Sequence, residues 1–260
     1  MGIIKIKKIR LKKKPLVCLT AYNQFTAQII DNYCDVILVG DSLGMAYYGN
    51  SSTRSVKIDD IIRHAKSVRR GVKKSILIVD MPYGTYKTKL DAKKNALKII
   101  KDTNCDGIKL EGGKAKADIV RHLVKNNINV MGHIGLLPQN IKNKKDFKIV
   151  GKNSIEEKKI IKDLKELENS GVFAIVLEGV KENLAKKIMD ISKVPIIGIG
   201  ASNSCDGQIL VLEDMLGFFD KVPKFVKKYL NLKNQIDKAV KKFSQDVRKR
   251  NFPNKKYVYR

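Results

Sequence analysis

Four acidic residues each follow a short apolar run, and this placement is the chain's clearest chemical signal. Val36–Val39 leads into Gly40-Asp41-Ser42, Ile76–Val79 into Asp80-Met81-Pro82, Gly107–Leu110 into Glu111-Gly112-Gly113, and Phe173–Leu177 into Glu178-Gly179. A fifth run, Ile128–Met131, leads to Gly132-His133. Carboxylates gathered in one place repel one another unless a cation lies among them. An oxygen-only donor set suits a hard ion such as Mg²⁺, which keeps waters and takes further ligands from substrate. Zinc would ask for histidine or cysteine, and His133 is the one obvious candidate. Lys109, two residues before Glu111, points to the same side of its strand and is placed to pair with an anionic substrate. The plainer alternative is that a strand-end acid caps the next helix. His133 taken singly reads as a satisfied interior or loop histidine, and His64 and His122, on helical segments, read as structural or exposed.

These side chains meet only if the runs preceding them are parallel strands. Eight runs qualify: Leu16–Thr20, Val36–Val39, Ile76–Val79, Gly107–Leu110, Ile128–Met131, Phe173–Leu177, Pro195–Ile199 and Gln208–Leu212. They are continuously apolar rather than alternating, as strands buried on both faces are. The segments between them carry helical signals. Ile58, Ile61, Ile62, Ala65 and Val68 share one helical face, as do Leu184, Ala185, Ile188 and Ile191. Ser154-x-x-Glu157 reads as a capping box, and Gly171 stands where a C-terminal cap belongs. The pattern predicts an α/β fold, a (β/α)₈ TIM barrel, with a doubly wound open sheet as the alternative. In a barrel the strand ends that carry the acids converge on the face where active sites form. Gly198-x-Gly200 after a strand is a weak anion-cradle signal. At 260 residues the chain suits one barrel domain, residues 1–260, with a basic C-terminal helix and tail.

The balance of 53 Lys and Arg against 26 Asp and Glu gives a formal charge of +27, which raises nucleic acid as a partner. The lysines, however, are dispersed in ones and twos over the polar sides of helical segments, as in Lys158-Lys159, Lys162 and Lys165. Only Lys5 to Lys14 and Lys241 to Arg260 form basic runs, without aromatic interleaving or zinc-finger spacing. A solvated surface is expected, with no nucleic-acid partner. Cys18, Cys34, Cys105 and Cys205 lie far apart in or near apolar runs and read as buried reduced thiols. No apolar run has the length of a signal-peptide core or a membrane span, so a cytoplasmic protein without a membrane partner is expected.

The order of these residues resembles the ketopantoate hydroxymethyltransferase family from about Leu16 to Phe225. The resemblance is carried by Leu19-Thr20-Ala21-Tyr22, Val39-Gly40-Asp41-Ser42-Leu43-Gly44-Met45, His64 with Val68-Arg69-Arg70-Gly71, and Lys109-Leu110-Glu111-Gly112-Gly113. It continues through Gly132-His133-Ile134-Gly135-Leu136, Pro195 to Ala201, and Asp206-Gly207-Gln208-Ile209-Leu210. The resemblance implies a barrel of the phosphoenolpyruvate mutase/isocitrate lyase type and a homo-oligomer, commonly a decamer. It implies Mg²⁺ at Asp41, Asp80 and Glu111, and a small 2-oxo acid held by Asp41, Ser42, Asp80 and Lys109. Glu178 matches the family's proton acceptor, His133 has a supporting place, and the one-carbon donor is 5,10-methylenetetrahydrofolate. The chain departs from the family pattern at Asn23, Leu137, Lys145-Asp146-Phe147 and Ser202. These departures bear on the folate-side loops rather than on the metal ligands or the base. A 2-oxo-acid lyase of the same superfamily is the nearest rival, though no reactive loop-cysteine motif is present. A basic nucleic-acid-binding protein is the rival of a different class.

Overall fold

The structure is a computed structural model describing residues 14–141 and 147–259. Eight parallel strands close into a barrel in chain order: β1 (Leu16–Thr20), β2 (Val36–Val39), β3 (Ile76–Asp80), β4 (Gly107–Lys109), β5 (Val130–Gly135), β6 (Ala174–Glu178), β7 (Ile196–Ile199) and β8 (Gly207–Leu210). β8 returns to β1, with Leu16 opposite Gly207 and Cys18 opposite Ile209. The open sheet is thereby excluded. Side chains alternate across each strand. Leu16 and Cys18, Val36 and Leu38, Ile76 and Ile78, Val176, Ile197 and Ile209 fill one cluster. The intervening Ile37, Leu77, Ile108 and Leu177 are fully buried on the opposite face, toward the helix layer. Each such aliphatic side chain contributes about 1.5–3 kcal/mol on burial.

The helices around the sheet are α1 (Gln24–Ile30), α2 (Leu43–Ala46), α3 (Ile58–Gly71), α4 (Lys89–Thr103), α5 (Ala117–Lys125), α6 (Ser154–Asn169) and α7 (Glu182–Ile191). In α3, Ile61, Ile62, Ala65 and Val68 are buried as their spacing predicts. In α7, Leu184, Ala185 and Ile188 are buried, but Ile191 is exposed because the helix ends there and the chain turns away at Ser192. The predicted cap of α6 is displaced by one residue. Asn153 rather than Ser154 is the N-cap, its side chain accepting the Glu156 N–H at 3.0 Å, while the Glu156 carboxylate accepts the Lys152 N–H at 2.8 Å. Gly171, with φ +91°, follows the C-cap Ser170 as expected. Between β7 and β8 no helix intervenes; residues 200–206 make the whole connection.

The chain divides into two compact units, the barrel up to Val211 and a second unit, Leu212–Arg260. The second unit holds α8 (Leu212–Met215) and α9 (Leu232–Arg248), the latter N-capped by the Asn231 side chain on the Asn234 N–H. Phe252 lies against both Phe243 and Tyr257, with ring centroids 5.6 and 5.7 Å away. Of the N-terminal basic run, Lys5 to Lys13 lie outside the described residues, as do Lys145 and Asp146. All four cysteines are free and buried, and burial pushes the Cys105 thiol up to about 11 and Cys34 up to about 12. They are inert protonated thiols, as the sequence suggests. Among the described residues no helix is long and apolar enough to cross a membrane.

One acid serves the scaffold alone. Asp31, just after α1, accepts the backbone N–H groups of Lys73, Lys74 and Ser75 at 2.8, 2.9 and 2.8 Å, tying α1 to the turn before β3. Burial by itself would raise its pKa, but the three donors together hold it below the usual carboxylate range. Its stabilising contribution is therefore present at neutral pH and lost as pH falls through the lowered value. Asp31→Ala is expected to cost about 1–3 kcal/mol in urea unfolding at pH 7, because the donors lose their acceptor. In acid the gap between variant and wild type should close.

Candidate active site

The inward file of side chains changes character toward the C-terminal ends of the strands. Ile76 and Ile78 are followed, two residues on, by Asp80; Met131 by His133; Ala174 and Val176 by Glu178. The period-2 alternation that fills the barrel with aliphatic groups thus points these three into its mouth, with Lys109, the last residue of β4, and Glu111, two residues past its end, in the same phase. Asp41 joins them from the loop after β2. Asp41, Asp80, Lys109, Glu111 and His133 are each no more than 5% exposed, so their charges need partners within the protein.

The partners are specific. Asp80 and Lys109 are register partners on β3 and β4, and the Lys109 ammonium lies 2.8 Å from Asp80 Oδ1. It sits off the hydrogen-bonding direction, so Oδ1 is a buried oxygen with an ion-pair neighbour and no hydrogen bond. Asp80 Oδ2 accepts the Asp41 N–H at 3.0 Å. His133 stands between two carboxylates: Nε2 is 3.3 Å from Glu178 Oε2, and Nδ1 is 3.7 Å from Glu111 Oε1. Neither contact has hydrogen-bond geometry. Ser42 Oγ shares a 2.7 Å hydrogen bond with the Tyr22 hydroxyl. His64, by contrast, bonds the Tyr22 carbonyl and the Tyr48 hydroxyl at 2.7 and 2.9 Å, a structural role. None of Asp41, Asp80, Glu111 and Glu178 is a helix N-cap; the N-caps of α2, α4, α5 and α7 are Ser42, Thr88, Lys116 and Lys181. Helix capping therefore does not explain them.

Two residues central to this cluster carry no such signal in the sequence. Gln139, 2% exposed, donates its backbone N–H to Glu111 Oε2 at 3.0 Å. Its side-chain amide donates to Asp41 Oδ2 at 2.7 Å and to the Met81 carbonyl at 3.0 Å. The Tyr86 hydroxyl donates to Gln139 Oε1 and accepts the Glu111 N–H at 3.3 Å. Gln139 stands in sequence beside Pro138, on the short turn after β5, and nothing in its spacing announces a partner as distant as Asp41. β5 itself runs further than its apolar run suggests, so His133 lies within the strand rather than past its end.

The electrostatics follow from crowding. Burial, then the charge of Asp80, push Asp41 up to about 7, against the opposing pull of Lys109 and Gln139. Burial and Asp41 likewise raise Glu111 well above its ordinary value. For Lys109, burial alone would lower the pKa, but Asp80, Glu111 and Asp41 outweigh it and keep the ammonium charged. Burial lowers His133, which is neutral at neutral pH, so its contacts with Glu111 and Glu178 are not ion pairs.

The donor chemistry fits a hard divalent cation: clustered carboxylate oxygens, excess negative charge, and a buried Asp80 Oδ1 lacking a hydrogen bond. Among the described residues, no three His, Cys, Asp or Glu side chains are arranged to cage an ion by themselves. Mg²⁺ does not ask for a cage, since it is commonly held by one or two carboxylates, several waters and the substrate. Beside Glu111 and Gln139 opens a cavity of about 690 Å³, bordered by Leu137, by Asp163 and by five lysines, among them Lys87, Lys114 and Lys116.

A family model, Ketopantoate hydroxymethyltransferase, matches residues 1–255. The chain belongs to the ketopantoate hydroxymethyltransferase family. It is 52% identical over 247 residues to the 3-methyl-2-oxobutanoate hydroxymethyltransferase of Pelagibacter ubique, covering 95% of each chain. It is 44% identical over 260 residues to that of Aliarcobacter butzleri, covering all of this chain and 96% of the relative. Like its relatives in this family, the protein is an enzyme that transfers a hydroxymethyl group. Among solved structures, 2,3-dimethylmalate lyase, a PEP mutase/isocitrate lyase superfamily member, aligns with TM-score 0.65 at 10% identity over 99% of this chain and 91% of its own. Phosphonopyruvate hydrolase, in complex with oxalate and Mg²⁺, aligns with TM-score 0.65 at 10% identity over 98% and 93%. At that identity the likeness is one of fold, and the fold is the barrel expected for the hydroxymethyltransferase.

With divalent ions chelated, the melting temperature is expected to fall as pH rises from 5 to 8. Asp41 and Glu111 have folded-state pKa values above their unfolded ones, so the folded state holds the extra protons in that window and loses stability as it releases them. Asp41→Asn should flatten the fall; an unchanged profile would contradict the crowding described here.

Proposed function

We propose that the enzyme converts 3-methyl-2-oxobutanoate, 5,10-methylenetetrahydrofolate and water into 2-dehydropantoate and tetrahydrofolate with Mg²⁺, a step of pantothenate and coenzyme A biosynthesis. The observation that carries this reading is the buried cluster in which charged Lys109 pairs with Asp80 beside Asp41, Glu111, His133 and Glu178, in a chain of this family. Asp41, Asp80 and Glu111 would hold the ion directly or through its waters. When bound, Mg²⁺ supplies Lewis-acid polarisation of the oxo acid's carbonyl, which acidifies the C3–H bond. Lys109 pairs with the anionic substrate and with the negative charge that develops on its keto oxygen. The Asp41-Ser42 turn, with Ser42 Oγ fixed by the Tyr22 hydroxyl, fits the substrate's oxygen-rich end. Glu178, at the tip of β6, takes the C3 proton as general base, and neutral His133 beside it limits where its carboxylate can turn. Water releases the donor's methylene carbon as formaldehyde, both of its carbon–nitrogen bonds breaking and both nitrogens ending as N–H. The carbanion adds to that carbonyl carbon, and the proton taken from C3 returns to the resulting alkoxide to give the hydroxyl. The lysine-bordered cavity beside Glu111 has the size and charge for an anionic donor. The same reading takes the chain as a homo-oligomer working in the cytoplasm, on the strength of family membership.

Product formation from the two substrates is expected only when Mg²⁺ is supplied, and its absence under all conditions would end the proposal. Glu178→Gln should keep oxo-acid binding while slowing C3–H exchange in D₂O by about 10²–10⁴-fold. Exchange at the wild-type rate would remove Glu178 from its role.

A further inference from the structure

Each of the three carboxylates assigned to the metal has one oxygen already committed. Asp41 Oδ2 accepts the Gln139 amide at 2.7 Å, Glu111 Oε2 accepts the Gln139 backbone N–H at 3.0 Å, and Asp80 Oδ2 accepts the Asp41 N–H at 3.0 Å. In Asp41 and Glu111 that bond fixes the carboxylate and favours the other oxygen as the one turned to an ion, whereas the other oxygen of Asp80, Oδ1, already faces the Lys109 ammonium at 2.8 Å. Gln139 is responsible for two of these three commitments and is 2% exposed. Its amide orientation is fixed by chemistry: the Met81 carbonyl only accepts, so the NH₂ group must face it, and the same group reaches Asp41. Tyr86, kept protonated because burial and Glu111 raise its pKa, donates to the amide oxygen from the other side. A further anchor holds the backbone, with Arg54 Nη1 3.0 Å from the Gln139 carbonyl and the Arg54 guanidinium stacked 3.8 Å over the Tyr83 ring.

We propose that Gln139 is a positioning residue that restricts Asp41 and Glu111 to single-oxygen coordination and thereby gives the site its preference for Mg²⁺ over Ca²⁺. The inference rests on the metal reading above. Mg²⁺ requires a near-octahedral set of single oxygens and retains waters, whereas Ca²⁺ takes six to eight oxygens and readily uses both atoms of a carboxylate. A clamp that withholds one oxygen from each acid leaves an octahedral ion satisfied and a larger ion short of ligands. Gln139→Met keeps the side chain's length and the backbone bond to Glu111, and removes the amide that serves Asp41, the Met81 carbonyl and the Tyr86 hydroxyl. Tyr86→Phe keeps the amide and removes the hydroxyl that orients it.

The test follows Mn²⁺ bound to the full-length protein, without substrates, through the electron paramagnetic resonance signal of the free ion, with Mg²⁺ and Ca²⁺ as competitors. Thermal unfolding in chelator reports whether each variant is folded. For the wild type, Mg²⁺ is expected to displace Mn²⁺ at lower concentration than Ca²⁺. In Gln139→Met, Mg²⁺ should weaken by about 10–100-fold, the usual loss when a partner of a metal ligand is removed. Ca²⁺ should change far less, so that the preference narrows or inverts; Tyr86→Phe should move the ratio the same way by a smaller factor. A folded variant in which both ions weaken equally, or neither does, overturns the inference. So does a wild type that does not distinguish them, although the metal reading then stands. A wild type that binds none of the three ions overturns both.

Discussion

Everything at the mouth of this barrel answers to the cost of holding charge away from water. Four carboxylates and one ammonium share a space that bulk solvent hardly reaches, and each buried ion forfeits several kcal/mol of hydration. Lys109 offsets one negative charge through Asp80. The rest is absorbed by oriented N–H groups from Asp41 and Gln139 and by protons retained on Asp41 and Glu111. Such a cluster has a strong affinity for added positive charge and for an anion that brings a cation with it. A substrate that chelates a divalent ion would satisfy both demands at once, which is the physical ground for the 2-oxo acid proposed above.

The apolar floor and the polar mouth come from one geometric rule. Successive inward positions on a strand lie two residues apart, so the same file that packs Ile76 and Ile78 must aim Asp80 upward. The chain then has to fold back over the mouth to deliver Gln139. Gly135 makes that possible: its φ of +93° and the Glu178 carbonyl, only 2.3 Å from where a β-carbon would stand, leave no room for any other residue. From there the turn Pro138–Asn140 carries Gln139 down between Asp41 and Glu111.

The strands and the four acids were legible because both leave local marks. A continuous aliphatic run followed by an acid is a pattern a few residues long, and seven of the eight strands begin within one residue of the apolar runs that signal them. β5 was less legible, since Gly132, His133 and Gly135 interrupt its apolar pattern while backbone pairing with β6 continues through them. The cap of α6 slipped by one residue because Asn153 and Ser154 are both competent, and only the backbone decides between them. Gln139 and Tyr86 stayed hidden for a deeper reason. Their partners are remote in sequence, and an amide or a phenol in a loop has no periodicity to betray it. The missing helix between β7 and β8 was equally invisible, because a short connection between parallel strands contradicts the general rule.

The barrel's seam joins its first strand to its last, Leu16 beside Gly207. The chemical groups, meanwhile, are divided among β3, β4, β5, β6 and the loop after β2, and none of the close pairs among them is local in sequence. No contiguous stretch of the chain therefore contains a rudimentary version of the site. A nascent or truncated polypeptide carries the acids as ordinary, well-hydrated, fully ionised side chains with ordinary acidities. Their unusual properties come into being together, at the moment the ring closes and water leaves. For this enzyme, catalytic competence is a collective property of a completed circle, and the slow search that long-range parallel pairing imposes on folding is also the interval during which the protein has no chemistry at all.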